Sequence, residues 1–145
     1  MPLAGDVIEV GRVPGWPIAT DISTVDSGTF TTTETVVQSI TASLVSGRTY
    51  WIRSIPHFSS TTATDSVAAR LREDNLAGAE LQSDVKEVMH TTLGTVFVLE
   101  YLYNATATGN KTFVLTALRT TGAGTARREA ASNRPSYMYV EYVDG

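Results

Sequence analysis

Three dense strand patterns follow one another from residue 95 onward, and they constrain the fold more than any other feature of the chain. Residues 95–104 (TVFVLEYLYN) and 111–120 (KTFVLTALRT) flank a turn-like ATATGN at 105–110, and 136–143 (SYMYVEYV) completes the run. β-Branched and aromatic residues at this density, bounded by Gly, Asn and Pro, predict sheet. In the first pattern Val96, Val98 and Leu102 point to one side while Phe97, Leu99, Tyr101 and Tyr103 point to the other, so neither face can be left to water. A half-solvated antiparallel sheet would alternate apolar with polar. Either a second sheet packs on this strand or another subunit covers it.

The rest of the chain is consistent with one small β domain. Its 145 residues can bury a core unaided. The 22 threonines set against 18% charged residues suit strand surfaces better than exposed helices. Cysteine is absent, which excludes disulfides, thiolate zinc sites and cysteine nucleophiles. A formal net charge of −4 gives no general attraction to nucleic acid phosphates. The opening MPLAGDVIEVG lacks a basic region and a sustained apolar run, and no stretch approaches the roughly 20 apolar residues of a membrane helix. The expectation is a soluble protein, made without classical secretion, with no membrane and no nucleic acid among its partners.

Residues 1–20 hold Pro2, Gly5, Gly11, Pro14, Gly15 and Pro17, which favour an extended arm without a periodic core face. Trp16, in PGWPI, either folds back to plug the bottom of its own domain or docks into a partner, the kind of role aromatic anchors fill at binding surfaces. The body begins at residue 21. After a Thr-rich 27–35, VVQSITASLV at 36–45 leads through Ser46-Gly47-Arg48 into TYWIRSIPHF at 49–58, a hairpin candidate. SSTTAT at 59–64 reads as a polar loop. SVAARLRE at 66–73 places Val67, Ala69 and Leu71 on one face and Arg70 and Arg72 on the other, a half-exposed strand. A turn is expected at Asp74-Asn75 and Gly78, and 81–89 reads as a short strand in preference to a helical turn. No internal repeat or second domain emerges.

Candidate chemistry is sparse. His57 ends an apolar strand and His90 precedes Thr91 and Thr92, a spacing that makes no metal motif, and no GxSxG elbow presents a serine. Catalytic residues, metal ligands and cofactors are therefore all expected to be absent. Gly122-Ala123-Gly124-Thr125 lacks the third glycine and the Lys-Ser/Thr of a phosphate loop and reads as a turn. The acceptor patterns Asn104-Ala105-Thr106 and Asn110-Lys111-Thr112 are chance products of a threonine-rich chain. Arg119, Arg127, Arg128 and Arg134 gather near the C-terminal strands, where a solvated loop or a subunit contact explains them, with Arg127-Arg128-Glu129 forming local ion pairs.

The segments FVLEYLYNATATGNKTFVLTALRTTGAGT at 97–125 and NRPSYMYVEYVDG at 133–145, with MPLAGDVI at 1–8, resemble the short structural proteins of tailed bacteriophages that infect actinobacteria. Those proteins begin with a similar Gly-Asp-Val/Ile arm and finish on an aromatic strand ending in an acidic residue and glycine, matched by Asp144-Gly145. The resemblance covers residues 1–10 and 65–145. It implies a tumour-necrosis-factor-like jelly roll, a homotrimer, and a role as a head decoration, minor capsid or minor tail protein. Strand count, turn spacing and the lack of helical periodicity agree on architecture: an all-β, single-domain jelly-roll sandwich over 21–145 with an extended N-terminal arm over 1–20.

The leading expectation is a non-enzymatic, trimeric decoration protein on the outer surface of the phage capsid, made in the host bacterial cytoplasm. Val7, Ile8, Val10 and Trp16 would contact the major capsid protein, and Tyr101, Tyr103, Phe113 and Tyr139 would line the trimer interface. The alternative is a receptor- or carbohydrate-binding module of a minor tail protein or head fibre, taking a host-surface glycan on Trp51, Tyr101, Tyr103, Tyr137 and Tyr139. An extracellular cytokine-like ligand is disfavoured by the missing signal peptide and disulfides.

Overall fold

Alternating side chains on the late strands demand two facing layers, and a computed structural model supplies them; it describes residues 15–143. Eleven strands follow one another among these residues: β1 (Pro17–Ser23), β2 (Thr35–Leu44), β3 (Thr49–Ile55), β4 (His57–Ser60), β5 (Ser66–Glu73), β6 (Glu80–Glu87), β7 (Thr95–Val96), β8 (Leu99–Asn104), β9 (Gly109–Thr121), β10 (Ala126–Glu129) and β11 (Ser136–Val143). No helix occurs among them, so none is long and apolar enough to cross a membrane. One sheet runs β1-β11-β3-β8, the facing sheet runs β2-β9-β5-β6, and a short sheet β10-β4-β7 lies at one end. All pairings are antiparallel. The repeated crossing from layer to layer along the chain is that of a jelly roll.

Two expected continuous strands are interrupted. The pattern at 49–58 divides at Pro56, which cannot donate to a ladder, and the pattern at 95–104 divides at Phe97-Val98. The two breaks align, since β3 pairs β8 before them and β4 pairs β7 beyond them. The Pro56 carbonyl accepts the Phe97 N–H at 2.9 Å across the bend. Residues 36–58 are also not a hairpin, because β2 pairs with β9 while β3 pairs with β11 and β8. Ile40, Ala42 and Leu44 enter the core from one layer and Tyr50 and Ile52 from the other, so the Ser46-Gly47-Arg48 turn carries the chain across the sandwich. It is locked to the equivalent β8–β9 crossing by Gly47 N–H to Ala105 O (2.7 Å) and Ala105 N–H to Arg48 O (2.9 Å). The boundary of the arm shifts as well. Pro17, Ile18, Ala19 and Thr20 are part of β1, which adds to the edge of β11.

Within the sandwich, Tyr103 packs edge-on against Phe113 from the opposite layer, with ring centroids 5.1 Å apart, and Phe58 does the same between Phe30 and Phe97. Burial of each such side chain contributes roughly 1.5–3 kcal/mol. Polar groups also bridge the layers. A bulge between Val36 and Gln38 accompanies the inward turn of Gln38; its amide donates to Asp21 Oδ2 (2.7 Å) and Ser136 O (3.2 Å) and accepts from Ser136 Oγ (2.7 Å). The Gly122-Gly124 segment is a turn, as expected, held by the buried Asp65 carboxylate through the N–H groups of Ala123 and Gly124. A Cβ at Gly122 would lie 1.8 Å from Asp65 Oδ1, so glycine is required there.

The outer face of β2-β9-β5-β6 combines polar contacts with a short apolar row of Val85, Ala68 and Leu118, with Val36 and Val114 also on this side. Thr41 and Thr112 hydroxyls meet at 2.8 Å, and Ser43 donates to Asn110 at 2.6 Å. Arg70 and Arg72 leave β5 on this side, as the alternation requires, and converge on Glu34 at 2.7 and 2.8 Å, where Thr116 also donates. Burial acts to raise the Glu34 pKa, but the bonds from Arg72 and Thr116 and the fields of both arginines outweigh it and hold the carboxyl below its ordinary 4.5. A group depressed in the folded state stabilises the fold above its ordinary pKa, and that contribution disappears as pH falls through the folded value. Glu34→Gln is expected to cost about 2 kcal/mol at pH 7 and progressively less below the ordinary carboxylate range. Urea midpoints of both proteins at pH 7 and pH 3 check this; a gap that does not narrow at pH 3 contradicts it.

Candidate functional site

The opposite outer face, that of β1-β11-β3-β8, is built differently. Register places Ile22, Tyr137 and Ile55 in one cross-strand row, Thr20, Tyr139, Arg53 and Glu100 in the next, and Glu141, Trp51 and Leu102 in a third. Their neighbours on the two central strands, Met138, Val140, Ile52 and Ser54, are buried, so strand alternation turns these rows outward. Ile22 is 57% exposed, Leu102 44% and Tyr137 39%. Large apolar side chains therefore cover an outer surface that no other layer of the described residues packs against.

A single cation organises the middle of this face. Arg53 lies 5.1 Å from the Trp51 ring and 5.7 Å from the Tyr139 ring, and its Nη1 donates to the Tyr139 hydroxyl at 3.1 Å. Glu141 stands 3.8 Å from Nη1, and Glu100 3.3 Å from Nε, an ion-pair approach without hydrogen-bond alignment. The bond to Tyr139, opposed by burial and aided by the two carboxylates, holds the guanidinium more firmly protonated than usual. The arrangement offers stacking, apolar area and a fixed dipole pattern. It provides a contact surface.

The residues expected from sequence separate on this scaffold. Tyr139 is on the outer face. Phe113 is 0% exposed inside the sandwich and cannot line a trimer interface, a correction that follows from β9 occupying the centre of its own sheet. Tyr103 stacks on Phe113 from the core side. Tyr101, paired with Ile52, also points to the core side, where its position on the β8 edge leaves it partly exposed. The five aromatics expected to form one glycan platform accordingly divide, with Trp51, Tyr137 and Tyr139 outside and Tyr101 and Tyr103 inside. Ile22 and Ile55 were missed because each is a lone aliphatic residue, Ile22 in β1 and Ile55 within the aromatic 49–58 segment; the signal they carry is their alternating position opposite Tyr137. Trp16 is 58% exposed and does not plug its own domain. Val7, Ile8 and Val10 lie outside the described residues.

The remaining candidates have structural partners. Arg128 is buried rather than ion-paired: its Nε donates to Val37 O (3.2 Å) and its Nη2 to Ser23 Oγ (3.1 Å) and Val25 O (3.2 Å). Burial lowers its pKa, with Asp21 and Asp26 opposing. Glu129 pairs with Arg134 at 2.7 Å. His57 stands near that pair, and burial together with Arg134, against the pull of Glu129, keeps its pKa below the usual value. His90 is exposed in the β6–β7 connection.

No protein-family model matches the chain, and no curated protein matches it. Among solved structures, that of infectious bursal virus-derived T=1 particles is similar over 99% of this chain and 41% of its own, at 10% identity and a TM-score of 0.46. The Gx strain of infectious bursal disease virus gives 99% and 43%, at 12% identity and 0.45. A structure described as CBM4 gives 72% and 60%, at 11% identity and 0.39. The chain thus spans less than half of the viral proteins and three-fifths of the other. The jelly-roll assignment rests on its own strand order.

Tyr139→Phe removes the acceptor for Arg53 Nη1 while keeping the ring. The expected cost is about 1 kcal/mol, or roughly 3 °C in Tm for a domain of this size, measured by thermal unfolding. An unchanged Tm would show that the hydroxyl does not fix the guanidinium.

Proposed function

We propose that this chain is a non-enzymatic structural protein of a bacteriophage virion, working as a homotrimer that decorates the outer surface of the head, binds the major capsid protein and stabilises the shell. The observation that carries the reading is the inequality of the two outer faces. One carries two hydroxyl-mediated pairs and a Glu34-centred ion-pair network beside a short apolar row of Val85, Ala68 and Leu118. The other bears Ile22, Ile55, Trp51, Leu102, Tyr137 and Tyr139, a composition that suits an interface core. A closed cyclic assembly covers such a face symmetrically. The phage assignment is supported by the residues at 97–125 and 133–145 on which the resemblance rests.

Attachment to the capsid falls to the arm. Trp16 stands exposed just before β1, at the point where the arm meets the body, and Val7, Ile8 and Val10 extend the same proposed contact. Three arms per trimer would act together through high effective concentration. The glycan-binding alternative is less well supported, because two of its five aromatics face the core side and Arg53 already stacks on Trp51 and Tyr139.

The test combines mass and binding. Light scattering on a size-exclusion peak is expected to report a trimer at micromolar concentration, and the protein is expected to saturate purified heads that lack it. Trp16→Ala is expected to remain trimeric but to bind roughly thirtyfold more weakly, the loss of about 2 kcal/mol typical of a buried anchor. A clean monomer, or a Trp16→Ala variant that decorates heads at wild-type concentrations, contradicts the proposal.

A further inference from the structure

At the end of the sandwich that carries the short β10-β4-β7 sheet, four separate segments meet around a pocket of about 140 Å³. Thr29 comes from the β1–β2 connection, Ser59 and Ser60 from β4 with Thr61 just beyond, Thr91 from the β6–β7 connection, and Thr125 and Arg127 from the start of β10. Every lining side chain is a hydroxyl except one, which is a guanidinium. Ser59 and Arg127 are direct cross-strand partners, so both rise from the same face of the short sheet.

The fold uses only part of this equipment. Ser60 donates to Asp65, and Thr61 Oγ1 accepts the Thr125 N–H at 2.9 Å. Among the described residues the hydroxyls of Thr29, Ser59, Thr91 and Thr125 have no such partner. Ser59 is 2% exposed, and a nearly buried hydroxyl without a protein partner calls for one supplied from the pocket. Arg127 is held loosely: Asp26 and Glu129 each stand 3.5 Å from it, while Glu129 directs its 2.7 Å bond to Arg134. Its planar fork of five donors therefore retains capacity for a further acceptor. Asp65, the remaining nearby acid, is committed to Ser60 and to the N–H groups of Ala123 and Gly124.

We propose that this pocket binds a single tetrahedral oxyanion of the phosphate class, gripped by the Arg127 fork and by hydroxyl donors from Ser59, Thr29 and Thr91. Bidentate guanidinium contacts combined with neutral donors suit an anion. A metal cation is repelled by Arg127, and a sugar would find no aromatic ring on which to stack. Arg127 is 45% exposed at its side chain, so the mouth also admits a phosphate monoester with its organic part in solvent.

The experiment is a titration of the full chain with inorganic phosphate at constant ionic strength, followed by backbone amide NMR. Saturable shifts confined to Ser59, Thr61, Thr91 and Arg127 are expected. Arg127→Gln is expected to weaken binding about ten- to hundredfold, the scale of a lost charge-assisted bond. Thr91→Val, which keeps the shape of a loop residue and deletes its hydroxyl, is expected to weaken it less. A parallel titration with glycerol phosphate identifies the source: tighter binding than inorganic phosphate assigns an ester, weaker binding the free ion. Linear, dispersed shifts, or equal affinity in Arg127→Gln, would overturn the proposal.

Discussion

The sandwich depends on a single core shared by its two layers. Phe113, Leu115 and Ala117 of β9 have no other place to bury their side chains, and neither have Ile52, Met138 and Val140 of the facing sheet. Antiparallel sheets of this length need a covered face to persist in water. The chain meets that need by crossing between layers at both 45–48 and 105–108, and it joins the two crossings through Gly47 and Ala105. Once the inner faces are committed to each other, each outer face is free to differ. One carries threonine contacts and ion pairs around a short apolar row of Val85, Ala68 and Leu118, and the other a broader field of aromatic and aliphatic side chains.

Much of this was legible from the residues. Alternation in 66–73 assigned Val67, Ala69 and Leu71 to the core and Arg70 and Arg72 to the surface, because a period of two fixes facing irrespective of partner. The same logic required a cover for residues 95–104. What alternation does not encode is which strand lies beside which. The Ser46-Gly47-Arg48 turn is compatible with a hairpin or a crossing, and only long-range pairing of β2 with β9 decides between them. Pro56 was present as a break signal, yet its effect depended on the matching break at Phe97-Val98 far along the chain.

The site was less legible than the fold for a related reason. Phe113 and Tyr139 look alike in sequence as aromatics on late strands, but one sits at the middle of a sheet facing inward and the other faces outward. Arg128 seemed one of a run of surface charges, and alternation within β10 instead buries it against the carbonyls of Val25 and Val37. The phosphate-class pocket gathers residues from four loops and strands, none of which carries a motif.

A charged group at the centre of an apolar face needs explanation if that face is to be covered. Arg53 arrives already paired, stacked on Trp51 and Tyr139 and flanked by Glu100 and Glu141, so covering it strands no bare charge. It also gives the face a pattern that an indiscriminate apolar partner would not satisfy. Trp51 reports directly on whether this face is covered, since the chain has only two tryptophans. In a Trp16→Phe background, acrylamide quenching of Trp51 emission should fall as protein concentration rises from nanomolar to micromolar, in step with growth in mass to a trimer. Quenching that stays constant across that range while the protein assembles would place the interface elsewhere.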